Sequence, residues 1–223
     1  MASAIQQNLN SIKSKLPEHV TLVAVSKTHP NEAIEEAYAT GQRVFGENKV
    51  QEMTAKYEQL PKDIEWHLIG HLQTNKVKYM ASFVAMIHAV DSLKLLNEIN
   101  KRASQHDRTI DVLLQMHIAQ ESSKFGMDRE ELDALLASEE YQSMQNVRVR
   151  GLMGMATFTD NEAQVRSEFQ FLAGIFKELK DNWKDNSFDT LSMGMSGDYE
   201  LAIEEGSTMV RVGSSIFGQR NYG

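Results

Sequence analysis

The sequence predicts an α/β fold, a single (β/α)8 barrel, on three observations. Eight short apolar segments recur along the chain, amphipathic stretches separate them, and the 223 residues end just after the eighth segment. Near-continuous apolar segments are typical of parallel strands buried on both faces, and their alternation with helices indicates a parallel sheet. A doubly wound open sheet would give a similar rhythm, but the count of eight and the compact length favour the closed barrel.

The order of the predicted elements follows from these segments. Strands are predicted over residues 20–27, 43–48, 65–70, 84–90, 110–118, 147–155, 190–195 and 209–215. Helices are predicted over 31–41, 92–105, 162–180 and 199–206 from their apolar spacing. An N-terminal amphipathic helix is predicted over about 3–16, with apolar residues at Ile5, Leu9, Ile12 and Leu16. No linker or change of composition divides the chain, so one domain is expected over 1–223.

Composition excludes several classes of function. A net charge of −8 argues against a broad nucleic-acid surface, because such surfaces are usually basic. The chain has no cysteine, which excludes disulfides, thiolate nucleophiles, Fe–S clusters and cysteine-ligated zinc. No secretory signal or membrane-length apolar run is present, so we expect a cytoplasmic protein without a membrane partner.

Lys27 lies where functional groups of such barrels gather, at the C-terminal end of the first predicted strand. Strand alternation puts Thr21, Val23, Val25 and Lys27 on one mainly apolar face. Desolvation there would lower the pKa of the ammonium group, and a neutral amine is what Schiff-base formation needs. The alternative is a lysine that simply extends into solvent at the strand end.

Two polar turns follow the last two predicted strands. Ser196 and Gly197 precede a helix that Asp198 would cap, and Gly213 and Ser214 follow the eighth strand. Barrels of this class often bind phosphate with the loops after strands 7 and 8, where backbone amides are accessible. Ordinary turn chemistry would use the same residue types, so a phosphate site and a plain pair of turns both remain open.

Two further residues are candidates for the interior of the barrel mouth. Arg211 is predicted to point inward, where an unpaired charge is costly. It either forms a structural ion pair, for example with Glu47, or donates to a cofactor ring nitrogen while leaving that nitrogen unprotonated. His67 and His71 lack an obvious third ligand, so no metal site is predicted, and His67 is interpreted as a polar group near the site.

Seven segments, taken together, resemble the pyridoxal phosphate homeostasis protein family: 24–30, 45–52, 66–76, 124–127, 151–155, 191–206 and 210–218. The resemblance implies a fold-type III protein for pyridoxal 5′-phosphate (PLP), similar to the alanine racemase N-terminal domain. It implies that Lys27 holds PLP as an aldimine and that Arg211 faces the pyridine nitrogen. It further assigns Ser196, Gly197, Gly213 and Ser214 to the phosphate, and Asn48, His67 and Met155 to the pocket walls.

The family is associated with the supply of free PLP rather than with an established reaction, so we expect a non-catalytic carrier that delivers PLP to apo-enzymes. A racemase would need a second acid or base, and Tyr199 is expected on the helix after strand 7, out of reach. The alternatives are a PLP-dependent racemase-like enzyme and a Schiff-base aldolase acting on a phosphorylated sugar. The helices show no heptad seam, so a monomer is expected. Any role of Lys76, Lys78 or Lys124 in cofactor release stays open.

Overall fold

A computed structural model describes residues 2–121 and 125–219, and in it eight parallel strands close into a barrel in chain order. The prediction of a closed barrel rather than an open sheet is therefore confirmed. The strands are β1 (Thr21–Val25), β2 (Val44–Glu47), β3 (Glu65–Leu68), β4 (Met86–Val90), β5 (Ile110–Gln115), β6 (Val147–Met153), β7 (Thr190–Met195) and β8 (Met209–Val212). Closure comes from β1 and β8, which pair in parallel from Thr21 opposite Met209 to Ala24 opposite Val212.

Helices cover the outside of the barrel. They are α1 (Ala4–Lys13), α2 (Asn31–Tyr38), α3 (Val50–Gln59), α4 (Leu93–Ser104), α5 (Arg129–Ala137), α6 (Glu139–Gln142), α7 (Glu162–Asp181), α8 (Tyr199–Glu204) and α9 (Ser214–Phe217), with a 3-10 helix at Thr74–Tyr79. The predicted N-terminal helix is present but shorter, and it buries Leu9 and Ile12. None of the described helices is long and apolar enough to cross a membrane.

Several strands end earlier than the sequence indicates. β1 ends at Val25 rather than Lys27, and β6 ends at Met153 rather than Met155. The apolar pattern runs on into the mouth of the barrel, where single inter-strand bonds remain, such as Ser26 N–H to the carbonyl oxygen of Gly46 at 3.0 Å, but the regular strands do not continue. The prediction that the first strand extends to Lys27 is therefore wrong, because Lys27 lies in a turn beyond the end of β1.

Side chains of the strands fill two layers. An inner cluster fills the barrel and includes Val23, Met86, Leu113, Met153 and Met209. A larger outer cluster packs between the strands and the helices, and Phe45 and Trp66 belong to it. Side chains alternate between the two faces of a strand. A polar residue two positions from a residue of the inner cluster therefore faces the barrel interior, and its immediate neighbours face the helices.

Candidate functional site

Lys27 lies in a tight turn directly after β1. The amide of His29 donates to the carbonyl oxygen of Ser26 at 3.1 Å and closes the turn. Thr28 has a φ of 67°, a left-handed conformation that is uncommon for a β-branched residue. Lys27 itself is half-buried and is not without an interaction partner. The turn therefore holds the lysine backbone in a defined conformation at the mouth of the barrel.

The two serine–glycine turns meet at the same mouth. The amide of Gly213 donates to Oγ of Ser196 at 3.1 Å, so the turns after β7 and β8 are joined directly. Gly213 is buried against β1: a Cβ there would lie 3.1 Å from the carbonyl oxygen of Val25. The joined turns thus pack against the strand that leads to Lys27.

Asp198 occupies the N-cap position of α8, but its side chain does not cap the helix, contrary to the prediction. Its side chain forms no capping bond with α8 and instead accepts from the amide of Met195 at 2.6 Å. A cavity of about 650 Å³ opens beside this turn, lined in part by Ser196, Gly197 and Ser215. Lys27 and Arg211 do not line it, so the cavity adjoins the candidate site rather than enclosing it.

Arg211 is buried inside the barrel, as predicted, with 3% of its surface exposed. Its Nη1 donates to Oγ of Ser192 at 2.5 Å and its Nη2 to the carbonyl oxygen of Gly154 at 3.1 Å. Burial lowers the pKa of the guanidinium group to about 10, so it remains charged at neutral pH.

Glu47 does not pair with Arg211, so that interpretation of the arginine is wrong. Gly46 points into the barrel, where a Cβ would contact Val23, and Glu47 therefore lies on the opposite face, toward the helices. There Glu47 accepts from Nζ of Lys56 on α3 at 2.7 Å. Among residues 2–121 and 125–219, Arg211 has no ion pair with a carboxylate.

A row of buried polar side chains leads from Arg211 across the barrel. Nδ1 of His88 lies 3.0 Å from Oγ of Ser192, and Nε2 of His88 lies 2.8 Å from Nδ1 of His67. Burial lowers the pKa of His67 to about 4 and that of His88 well below its ordinary value. Both imidazoles are consequently neutral at neutral pH, and His67 is connected to Arg211 through two intermediates.

Asn48 and Met155 lie at the mouth, each just beyond a strand end. Asn48 is half-buried, and its backbone passes so close to Gly70 that a Cβ on Gly70 would lie 2.5 Å from the Asn48 carbonyl oxygen. Met155 is also half-buried and packs against the inner cluster. Both residues therefore lie at the mouth of the barrel, beyond the ends of β2 and β6.

The other lysines and His71 lie apart from this group. Lys76 and Lys78 belong to the 3-10 helix, with Nζ atoms 5.9 and 5.0 Å from the ring of Tyr79. Lys124 lies outside the described residues. His71 stacks on Phe125 instead of approaching His67. In the described part of the chain, no three histidine, aspartate or glutamate side chains come close enough to hold a metal ion.

Comparison with known proteins identifies the family. Residues 2–221 match the family described as "Alanine racemase, N-terminal domain". The pyridoxal phosphate homeostasis protein of Aquifex aeolicus is 44% identical over 203 residues, covering 90% of this chain and 87% of that protein. The homeostasis protein of Vibrio alginolyticus is 41% identical and covers 99% of both. The chain belongs to the pyridoxal phosphate homeostasis protein family.

Solved structures agree with this assignment. PipY of Synechococcus elongatus, in a structure with PLP bound, is 40% identical with a TM-score of 0.87, covering 96% of this chain and 100% of PipY. Alanine racemase from E. faecalis is 16% identical with a TM-score of 0.72, and the match covers 98% of this chain but 58% of the racemase. The racemase likeness shows the barrel fold alone. The resemblance to the homeostasis family and the fold it implies are thus both confirmed.

Sequence reasoning missed three polar residues of this homeostasis-family barrel. His88 and Ser192 lie within apolar strands and looked like single polar residues in a core. Lys56 was not singled out, although it lies three residues after buried Met53 and four before buried Leu60, in the apolar stripe of α3. A lysine in an apolar stripe is the signal that would have identified it, because buried lysines are almost always paired.

Proposed function

We propose that this chain binds PLP at the mouth of its barrel, with Lys27 as the point of covalent attachment. In this proposal the protein stores and delivers PLP and does not turn over a substrate. The observation that carries it is the convergence, at one end of the barrel, of a lysine in a fixed turn, two joined serine–glycine turns and a buried arginine. The PLP-bound structure of PipY, at 40% identity, supports the same cofactor.

The residues of the mouth fit the chemical parts of PLP. Ser196, Gly197, Gly213 and Ser214 offer hydroxyl and backbone N–H donors, which suit the phosphate group. Arg211 carries five N–H donors, more than the two acceptors, Ser192 Oγ and Gly154 O, that the described residues give it. A further donor is therefore available for the pyridine nitrogen.

Asn48, His67 and Met155 complete the proposed pocket. Met155 is half-buried beside the inner cluster and offers an apolar wall. His67 is 4% exposed and turns Nδ1 toward His88, so its contribution to a ligand comes through Nε2. Asn48 offers an amide at the end of β2, next to the Lys27 turn.

The charge of Arg211 suits a carrier better than a catalyst. PLP supplies an aldehyde that condenses with amines and a ring that withdraws electrons. With a pKa of about 10, Arg211 donates a hydrogen bond at neutral pH without giving up its proton. A ring nitrogen left unprotonated is a weaker electron sink for carbanion chemistry.

Two further observations support a role without turnover. The hydroxyl of Tyr199 donates to its neighbour Glu200 at 3.2 Å, on α8. The relatives that match over nearly the whole chain are named for homeostasis and not for a reaction. We further propose a cytoplasmic monomer whose partners are PLP and apo forms of PLP-dependent enzymes.

Incubation with PLP followed by borohydride reduction tests the proposal. The reduced protein is digested and the mass of the cofactor is located by mass spectrometry. We expect a visible absorption band before reduction and the added mass on the peptide that contains Lys27. A protein that stays colourless and gains no mass would contradict the proposal.

Delivery and turnover need separate assays. The PLP-loaded protein is mixed with an apo PLP-dependent enzyme, and the return of activity is compared with that given by the same concentration of free PLP. We expect transfer without exchange of the α-hydrogen of any amino acid in deuterated water. Exchange that disappears in Lys27→Ala would instead support the racemase-like enzyme.

A further inference from the structure

Lys56 is a buried cation that the proposed pocket does not use. It lies on α3 with 7% of its side chain exposed, on the helix side of the barrel wall. Its Nζ donates to Glu47 Oε1 at 2.7 Å, to Glu52 Oε1 at 2.7 Å and to the carbonyl oxygen of Ser26 at 2.9 Å. All three donors of this ammonium group are therefore engaged.

The partners of Lys56 hold the backbone on both sides of Lys27. On the N-terminal side, Oγ of Ser26 donates to Glu47 Oε1 at 2.6 Å. On the C-terminal side, the amide of Thr28 donates to Glu52 Oε1 at 2.6 Å. The two residues that flank Lys27 are thus bonded to two carboxylates, and one ammonium group joins those carboxylates.

The conformation held in this way is not one the chain would adopt unaided. Thr28 is left-handed at a φ of 67°, and such a residue persists only when its surroundings determine it. The hydrogen bond from Thr28 N–H to Glu52 holds Thr28 in this left-handed conformation. Without it, the turn would relax toward a negative φ, and the direction in which Lys27 leaves the turn would change.

The Lys56 cluster is poorly explained as a source of stability. A buried ion pair often contributes no more than apolar side chains of the same size. Oε2 of Glu47 is buried without a hydrogen-bond partner, which is a further cost. Because the cluster orders both neighbours of Lys27, the positioning of that lysine explains it better than a gain in stability does.

We propose that Lys56 is a positioning residue for Lys27: through Glu47 and Glu52 it fixes the turn that presents the Lys27 amine to the aldehyde of PLP. This inference rests on the proposed attachment of PLP at Lys27. In that condensation the neutral amine forms a bond to the aldehyde carbon, and the carbonyl oxygen leaves as water with the two amine protons. Lys56 touches neither reactant and acts only on the geometry of approach.

The test separates covalent attachment from binding. Pyridoxine 5′-phosphate has an alcohol in place of the aldehyde, so its dissociation constant measures binding without condensation. The rate of attachment of PLP is followed from the absorption band, with borohydride trapping at timed points. Both are measured in the full-length protein and in Lys56→Met, Glu52→Ala and Glu52→Gln, with Glu58→Gln on the exposed face of α3 as the control.

We expect Glu52→Ala and Lys56→Met to slow attachment about tenfold, since small displacements of a reacting group have effects of this order or larger. Pyridoxine 5′-phosphate should bind within about twofold of the wild-type affinity, because the phosphate turns and Arg211 are untouched. Glu52→Gln keeps an oxygen that accepts from Thr28 and should restore most of the rate. Glu58→Gln should behave as wild type.

Three results would overturn the inference. The first is wild-type attachment rates in folded Glu52→Ala, the variant that decides the matter if Lys56→Met does not fold. The second is an equal loss of attachment rate and of pyridoxine 5′-phosphate affinity, which would mean a general structural role. The third is a wild-type protein that binds PLP without attaching it at Lys27, which would overturn the proposed function as well.

Discussion

Arg211 and Ser192 lie 2.5 Å apart, from Nη1 to Oγ, and this contact orders the protons of the buried row behind it. An arginine only donates, so Oγ of Ser192 accepts from it and its own proton is directed to Nδ1 of His88. A neutral His88 then carries its proton on Nε2 and donates to Nδ1 of His67. We infer that His67 keeps its proton on Nε2, so that the row donates in one direction from β8 to β3.

Replacing Ser192 would interrupt the row of hydrogen bonds from Arg211 to His67. Ser192→Ala leaves Nη1 of Arg211 and Nδ1 of His88 without their partner in a buried site. We expect the free energy of unfolding to fall by about 2–3 kcal/mol, in line with the cost of unsatisfied buried polar groups. Urea denaturation measures it, with exposed Ser104→Ala as the control; a loss below about 0.5 kcal/mol in Ser192→Ala would contradict the ordered row.

The buried imidazoles predict acid sensitivity. Burial lowers the pKa of His67 from 6.5 to about 4, so the folded state binds fewer protons than the unfolded state between those values. Stability is therefore lost as the pH falls through this window, by about 3 kcal/mol from His67 alone. His67→Gln should flatten the dependence of the unfolding free energy on pH between about 4 and 6.5. An unchanged slope in that variant would show that His67 is not the group responsible.

Glu47 predicts that stability depends on pH in the opposite direction. Burial raises the pKa of its carboxyl group from 4.5 to about 7, against the opposing effect of Lys56, and Oε2, which has no partner, is the oxygen suited to hold the proton. The folded state then binds more protons than the unfolded state, so stability falls as the pH rises from about 4.5 to 7, by about 3 kcal/mol. In the wild type this offsets the histidine contribution.

The variant Glu47→Gln removes that offset. The unfolding free energy of this variant, measured in urea at a series of pH values, should fall more steeply toward acid than that of the wild type. Glu58→Gln changes the same charge at an exposed position and should leave the wild-type curve in place. Parallel curves for Glu47→Gln and wild type would mean that Glu47 titrates near its ordinary pKa.

The contact between Ser196 and Gly213 predicts that replacing Ser196 weakens phosphate binding. Ser196→Ala removes the oxygen that joins the two turns, together with a hydroxyl offered to the ligand. We expect the affinity for pyridoxine 5′-phosphate to fall about 5- to 10-fold, equivalent to a loss of about 1–1.4 kcal/mol. Fluorescence or calorimetric titration measures it, with Ser143→Ala as an exposed control. Unchanged affinity would remove Ser196 from the phosphate site.

Gly70 tests whether the position of Asn48 matters. Gly70→Ala would put a Cβ 2.5 Å from the backbone oxygen of Asn48, and the backbone has to move. We expect a loss of about 1–3 kcal/mol in stability together with weaker PLP binding. Gly174→Ala in α7 is the matched control, since nothing lies within 4 Å of its Cβ and alanine favours the helix. Equal thermal unfolding temperatures for the two variants would contradict the close approach.

The architecture could be predicted from the sequence because a local run of apolar residues marks each strand. The strand ends could not, since Ser26 and Met155 continue the apolar or small pattern of their strands after the regular strands end at Val25 and Met153. The turn that holds Lys27 lies beyond the strand end. Its residues Ser26 and Thr28 are bonded to Glu47 and Glu52, which are 20 and 25 residues from Lys27 in the sequence.

The candidate site divides in the same way. Lys27, Arg211 and the two serine–glycine turns could be predicted because each stands at a strand end, where this barrel class carries function. The face on which Glu47 lies could not, because it depends on Gly46 pointing inward against Val23. The hydrogen bonding of His88 could not be predicted either. A histidine between apolar neighbours looks the same in the sequence whether or not a serine on another strand lies within hydrogen-bond distance.

The proposed site combines residues from both sides of the seam where β1 pairs with β8, so it depends on that pairing. Arg211, Gly213 and Ser214 come from the end of the chain, Lys27 comes from its beginning, and Val23 pairs with Arg211 across the seam. Asn8 on α1 also donates to the carbonyl oxygen of Ile216 on α9 at 3.1 Å. A nascent chain that lacks β8 would have the lysine but neither the arginine nor the last phosphate turn. Binding that uses both Lys27 and Arg211 would thus require β8 to be paired with β1.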